Sequence, residues 1–326
     1  MSNAILVTGG AGYVGSHACK ALARAAYTPV TYDNLIYGHR EAVRWGPFIQ
    51  GDLADRHLLA ETLRRFHVKS VMHFAASASV SDSLKQPELY YTNNVANTLT
   101  LLESMREADI RQIVFSSSAA TYGTPALVPI PENAPQQPVN PYGETKFAVE
   151  RMLHWYSKAH GFAYAALRYF NASGADPEGE TGEKHVPEAH LIPLILDAAV
   201  GRRPHVEIFG TDYPTPDGTA IRDFVHVQDL ADAHVRALNH LRAAGESLAL
   251  NLGTGAGHSV REVIAAAERI IGRPIPKREA ARRPGDPPVL VADASRVRTA
   301  LGWTPRLSDL GTIIDTAWSW HRRNFV

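Results

Sequence analysis

One cysteine, Cys19, is all that this 326-residue chain contains, so no internal disulfide can hold it together. Its place on an amphipathic stretch suits a small buried thiol in a reducing compartment. Charge of one sign is lacking too. Lys plus Arg and Asp plus Glu both number 33, which removes the basic excess of a nucleic-acid binder. Long apolar runs are missing: Leu191 to Val200 is interrupted by Pro193 and Asp197 and falls short of the ~18 residues of a membrane helix. The strand-like segment Ala4 to Val7 follows almost directly on the N-terminus, with no basic region or cleavage site before it. The expected location is therefore the cytoplasm. Cys-x-x-Cys and His-Glu-x-x-His patterns are absent, and no metal is expected. What is present is an ordinary globular balance, 45% apolar, long enough for a core without staples.

The first half alternates short apolar segments with helical ones. Ala4 to Val7, Pro29 to Tyr32, Ser70 to His73, Ile113 to Ser116 and Ala163 to Arg168 read as strands buried on both faces. Between them Ser16 to Ala26, Arg56 to Phe66 and Thr92 to Glu107 read as helices. This alternation predicts an α/β fold, a Rossmann-like, doubly wound parallel sheet whose ligands gather at the carboxyl ends of the strands. After about Asn171 the texture changes. Residues 174–188 and Gly210 to Gly218 read as long loops, and helical patterns return at Arg261 to Ile271 and Leu310 to His321. The expected division is a dinucleotide-binding domain over 1–173 and a smaller α/β substrate domain over 174–326, with segments around 221–235 packing back on the first.

Strand Ala4 to Val7 leads into Thr8-Gly9-Gly10-Ala11-Gly12-Tyr13-Val14-Gly15. Gly9, Gly12 and Gly15 permit a tight turn and close approach of backbone to a pyrophosphate at a helix N-terminus. A glycine triplet alone is a weak signal. Here a strand precedes it, a helix follows, and Asp33 stands 18 residues beyond Gly15 at the end of the next strand. A carboxylate there accepts bonds from an adenosine ribose and repels a 2′-phosphate, which selects NAD over NADP. Asp52, followed by Leu53, either bonds the adenine amine or belongs to the capping of a helix beginning near Asp55.

Tyr142 and Lys146 are four residues apart behind the turn Val139-Asn140-Pro141, so both point to one helix face. A cation beside a phenol favours the phenolate, and such a tyrosine can take a proton from a sugar hydroxyl while hydride leaves the same carbon for NAD. Without context a Tyr-x-x-x-Lys pair reads as a surface pair. Its context is a dinucleotide fold and the cluster Ser116-Ser117-Ser118 at the end of a strand, which either caps the next segment or bonds the reacting oxygen.

Together Thr8 to His17, Asp33-Asn34, His73 to Ala76, Asn93 to Val95, Phe115 to Ser118, Tyr122-Gly123, Tyr142 to Lys146 and Arg168 to Asn171 resemble the extended short-chain dehydrogenases. Phe209 to Tyr213, Asp217 to Thr219, Ile221 to Val227, Asn251 to Gly253 and Arg282 to Asp286 are similar to UDP-glucose 4-epimerases, and the resemblance runs from residue 4 to about 320. It implies an NAD-dependent 4-epimerase acting on a UDP-sugar through a 4-keto intermediate, working as a homodimer. By position, Tyr142 matches the family's base, Lys146 its activating cation and Ser118 the relaying hydroxyl. Gly9, Gly12, Tyr13, Val14, Gly15, Asp33, Asn34, Asp52, Leu53, Phe74, Ala75, Asn93 and Tyr169 fall at cofactor positions, with Tyr142 and Lys146 contributing. Asn171, His190, Leu191, Phe209, Arg222, Arg283, Asp286 and Leu290 fall at substrate positions. Arginine forks suit a diphosphate and an aromatic face suits uracil, although Arg282-Arg283 alone would read as a solvated pair.

Three departures bear on specificity. Ala78 stands where some epimerases carry a lysine near the cofactor, and His190 where some carry asparagine. Leu290 replaces a tyrosine that can wall the sugar pocket, which opens the possibility of UDP-N-acetyl sugars, pentoses or uronates. The rival dehydratases resemble this chain but place an Asp-Glu pair where Ala119-Ala120 stand, so elimination would lack its acid. A simple alcohol dehydrogenase would not need the C-terminal nucleotide grip, and an NAD-sensing scaffold would not need Ser118, Tyr142 and Lys146 together.

Overall fold

The five apolar segments expected to be buried strands are neighbours in one sheet. A computed structural model describes residues 3–283 and 285–325. Strands β1 (Ala4–Thr8), β2 (Thr28–Asp33), β3 (Phe48–Gln50), β4 (Ser70–His73), β5 (Gln112–Ser118) and β6 (Ala163–Tyr169) pair in parallel. A seventh strand, Leu248–Leu252, adds in parallel to the edge at β6. From that edge the order is Leu248–Leu252, β6, β5, β4, β1, β2, β3. The order reverses between β1 and β4, which opens the ligand crevice at their carboxyl ends.

Both faces of the sheet are covered, and the alternation of side chains along β1 shows how. Ile5 and Val7 face a layer containing Ala18, Cys19 and Leu22 of helix α1 (Tyr13–Arg24), and Leu230, Leu238 and Leu241 of helix Val227–Ala244. Ala4 and Leu6 face the opposite layer, with Leu59 and Leu63 of helix α2 (Arg56–Arg65), Leu101 and Met105 of helix Asn97–Glu107, and Val149 and Leu153 of helix Pro141–His160. Each such leucine contributes about 1.5–3 kcal/mol on burial. Helix boundaries lie near the expected ones, with one difference. Tyr91–Ala96 is a single π-helical turn leading into Asn97–Glu107.

Residues from the second half return to this sheet over a longer stretch than 221–235. Helix Val227–Ala244 packs on α1, strand Leu248–Leu252 joins the sheet, and Trp303 is buried in the same core. The Trp303 Nε1–H donates to the Asp229 carbonyl at 2.9 Å, which satisfies the indole's only polar group. A separate core gathers helices Leu191–Ala199, Val260–Ile271 and Leu310–Phe325 under the parallel pair Val206–Phe209 and Lys277–Ala280. Residues 174–190 hold no helix or strand, as expected of a long loop. Among the described residues, no helix is long and apolar enough to cross a membrane.

Candidate active site

The carboxyl ends of five strands and the starts of two helices converge at the crevice. Gly9 leaves β1 with φ +72°, a left-handed turn that glycine adopts without strain. A Cβ there would come within 2.5 Å of Ala75 N, and one on Gly15 within 2.1 Å of Gly9 O. The loop is therefore as close-packed as backbone allows. Helix α1 begins at Tyr13 with Gly12 as its N-cap and no side-chain cap, so its first N–H groups are left for an anion. Tyr13 and Val14 form that first turn, and the Tyr13 hydroxyl donates to Gly174 O at 2.6 Å, tying the turn to the 174–190 loop.

Asp33 ends β2 and does two jobs. Its Oδ2 accepts the Ala11 N–H at 3.0 Å and its Oδ1 the Leu35 N–H at 2.8 Å, so it shapes the glycine loop it would share with a ribose. Burial raises its pKa, with these N–H groups pulling the other way. The alternatives for Asp52 are separated here. Asp55, not Asp52, caps α2 by accepting the Leu58 N–H. Asp52 instead accepts the Ala54 N–H and the side-chain amide of Asn34 at 2.7 Å, beside buried Leu53. These residues, with Phe74 and Ala75 following β4, line one side of the crevice, and a dinucleotide fits the cradle. Asn93 lies on the π-helical turn and donates to Ser77 Oγ at 3.1 Å. Ala78 is exposed and supplies no polar atom.

Ser118 is the last residue of β5, and Tyr142 and Lys146 ride the first turns of helix Pro141–His160, capped by Asn140. The Ser118 hydroxyl accepts the Ala120 N–H at 3.1 Å and bonds the Tyr142 phenol. The capping reading of the serine is thus observed, with the same hydroxyl set beside the Tyr142 phenol. Lys146 donates to Ser116 O at 2.8 Å, with its Nζ 5.0 Å from the Phe115 ring centre and 5.8 Å from that of Tyr142. The electrostatics differ from the sequence expectation. Burial raises the phenol's pKa, partly offset by the Ser118 bond, and burial lowers Lys146 to about 7. Desolvation outweighs the cation–phenol attraction because both groups sit in one low-dielectric site. Burial thus works against the charged form of each group.

Behind this group stands a buried network whose center the sequence reading passed over. Glu150 Oε2 is 2.6 Å from Arg168 Nη2, and Arg168 also donates to the Tyr122 hydroxyl at 2.8 Å. That hydroxyl donates to Asn251 Oδ1 at 2.7 Å, linking β6, the turn after Ser118 and the edge strand. The signal was available, since Tyr142, Lys146 and Glu150 recur every fourth residue on one helix face. Tyr169, at the end of β6, bonds Ser116 Oγ through its hydroxyl, and burial raises its pKa.

The residues read as substrate contacts lie across the crevice. Arg222, in the short strand Ile221–Arg222, pairs with Asp286 and is opposite Leu290 in the parallel partner strand. Arg283 lies over the Phe209 ring at 3.9 Å, and Arg282 over Tyr213 at 4.3 Å while donating to Asp212. Pro284, in the expected Pro-Gly-Asp turn, lies outside the described residues. Leu290 packs with Phe170 against Ala119 and Tyr122, next to Ser118. Asn171 begins a short strand, and its N–H donates to Asp223 O at 3.1 Å. Leu191 opens helix Leu191–Ala199, while His190 Nδ1 is engaged by Glu183 and Glu188 at 2.8 and 3.0 Å.

Residues 5–253 match the NAD dependent epimerase/dehydratase family. The chain belongs to that family. It is 52% identical over 322 residues to a UDP-glucose 4-epimerase of Rhizobium meliloti, covering 99% of this chain and 98% of that enzyme. It is 50% identical to the UDP-glucose 4-epimerase of Halalkalibacterium halodurans, over 98% of this chain and 96% of that one. Among solved structures, UDP-glucose 4-epimerase from Brucella ovis in complex with NAD superposes with TM-score 0.96 at 52% identity, covering 98% of both chains. The family's cofactor is the one that the glycine cradle and Asp33 fit.

Proposed function

We propose that the chain is an NAD-dependent 4-epimerase of UDP-sugars, with UDP-glucose and UDP-galactose as its default pair. The observation that carries this reading is the convergence of Ser118, Tyr142 and Lys146 on a dinucleotide crevice, faced by paired arginines and an aromatic ring. NAD, held by the glycine loop and Asp33, would supply the hydride acceptor. The Tyr142 phenol oxygen takes the C4 hydroxyl proton, Ser118 holds that phenol by its hydrogen bond, and Lys146, anchored on Ser116 O, fixes the floor of the site. Once the 4-keto sugar has turned over, return of the hydride to the opposite face of C4 together with the proton from Tyr142 to the C4 oxygen would give the epimer. Arg222, Arg283 and Phe209 grip the nucleotide, while the sugar meets Leu290, an apolar wall that lets it rotate. The same small wall favours acceptance of UDP-N-acetyl sugars as a second substrate group. Dimerisation of two copies belongs to this reading as an expectation of the family.

The test is epimerisation of UDP-galactose in deuterated water, with UDP-N-acetylglucosamine run in parallel and products resolved by NMR. The expected result is interconversion with C4 free of solvent deuterium. Deuterium at C4 excludes internal return of the hydride, and absence of any epimer excludes the activity.

A further inference from the structure

The 174–190 loop gathers four side chains that the proposed reaction gives no chemical step. Glu183, His185, Glu188 and His190 follow a Glu-x-His-x-x-Glu-x-His spacing, and one ligand-type atom of each lies within 4.8 Å of all the others. His190 Nδ1 is 2.8 Å from Glu183 Oε1 and 3.0 Å from Glu188 Oε1. His185 Nδ1 is 3.1 Å from Glu183 Oε1 and 3.7 Å from Glu188 Oε2. A tetrahedral ion with bonds near 2.0–2.2 Å holds its ligand atoms about 3.3–3.6 Å apart. These four separations lie within about half an ångström of that edge.

The imidazoles already answer the charge of the two carboxylates, so a bound ion would take over that role by displacing their protons. The side chains of Glu183 and Glu188 are only 9% and 12% exposed, and desolvated carboxylates demand a counter-charge. Among the described residues, neither pairs with a lysine or arginine; their ion-pair partners are the two imidazoles. The neighbouring acidic group, Asp176, Glu178 and Glu180, differs on this point. Lys20 Nζ sits 2.5–2.8 Å from all three carboxylates and takes the place a cation would have.

The surroundings hold the ligands in place, as second-shell contacts of a metal site do. Glu188 Oε1 accepts the N–H groups of Ala189 and His190, both at 2.8 Å. Trp320 Nε1 donates to Glu183 O at 3.0 Å, and the Tyr13 ring meets His185 edge-on at 6.3 Å. The cluster thus lies where the 174–190 loop meets the C-terminal helix and the start of α1.

We propose that Glu183, His185, Glu188 and His190 form a four-coordinate site for a divalent transition metal of the zinc class. Two neutral imidazoles and two carboxylates balance the ion's charge. Four protein ligands leave no open position, so the ion is structural. It closes the 183–190 segment on itself just before Leu191, beside the Tyr13 ring at the start of α1. The expectation of a metal-free protein rested on Cys-x-x-Cys and His-Glu-x-x-His patterns, and this spacing is neither.

The full, tag-free chain is stripped with a chelator, loaded with zinc chloride, dialysed against metal-free buffer and assayed by mass spectrometry for bound metal. Roughly one zinc per chain is expected, together with a rise in thermal midpoint. Loading with cobalt chloride should give the intense visible absorption of a tetrahedral ion. His185→Ala and Glu188→Gln, checked for folding by circular dichroism, should each weaken zinc binding at least about tenfold. A folded wild type that retains no zinc, an octahedral cobalt spectrum, or folded variants that bind zinc as the wild type does would leave only a histidine–carboxylate ion-pair network and overturn the proposal. The wild-type cobalt spectrum decides the matter if the variants do not fold.

Discussion

The catalytic group and the nucleotide grip are built by different means. Ser118, Tyr142 and Lys146 sit on a strand end and a helix start, backed by the buried Glu150–Arg168–Tyr122–Asn251 network. The facing residues stand on short strands and loops, and their contacts are made with one another: Arg222 with Asp286, Arg283 with the Phe209 face. The first region is fixed before anything binds. The second must trade internal pairs for a ligand, and such exchange costs little where ion pairs are partly exposed. Rigid chemistry and an exchangeable grip together suit a reaction in which a sugar turns over while its nucleotide stays held.

Breaking the rigid side should have the largest effect. Tyr142→Phe is expected to lower kcat by about 10²–10⁴, the usual worth of a positioned acid or base. Steady-state kinetics check this, and a near-normal kcat removes Tyr142 from the mechanism. On the grip side, Arg222→Ala takes away charge-assisted bonds worth about 1.5–3 kcal/mol. KM for the UDP-sugar should rise roughly ten- to a hundredfold with kcat much less changed. A fall in kcat alone would place Arg222 in the chemistry instead.

The last effect concerns pH and the histidines buried on and beside the sheet. His17, His226 and His234 are buried with pKa values lowered to about 4, and His73 to about 3, in each case by desolvation. Their folded pKa lies below the ordinary value near 6.5, so the unfolded chain binds protons first. Stability from these groups is full above about pH 6.5 and is lost as pH falls toward 4, at up to about 1.4 kcal/mol per group per pH unit. Calorimetric melting from pH 7.5 down to 5 should show a falling midpoint with proton uptake on unfolding. A midpoint that does not move would mean these histidines are not held neutral.

The sheet was readable because its strands are short apolar runs punctuated by glycine and serine, and because motif spacing survives without tertiary knowledge. Gly9, Gly15, Asp33, Tyr142 and Lys146 were named from such spacing and Ser118 from the family resemblance, and the structure brings all of them to one crevice. The edge strand Leu248–Leu252 was not read as one, since nothing local tells an edge strand from any other apolar pentamer. The sign of the Tyr142 shift was also illegible. Proximity of a lysine can be read from a four-residue interval, but the desolvation that outweighs it depends on what packs around both groups. The Glu183–His190 cluster shows the same limit, because charge spacing in an irregular loop says nothing of where side chains meet.

Calorimetric binding of UDP to Tyr142→Phe and Arg222→Ala tests the division of labour most directly. Unchanged UDP affinity in the first and at least about tenfold weaker binding in the second are the predicted outcome. Weakened binding in Tyr142→Phe with wild-type affinity in Arg222→Ala would contradict it.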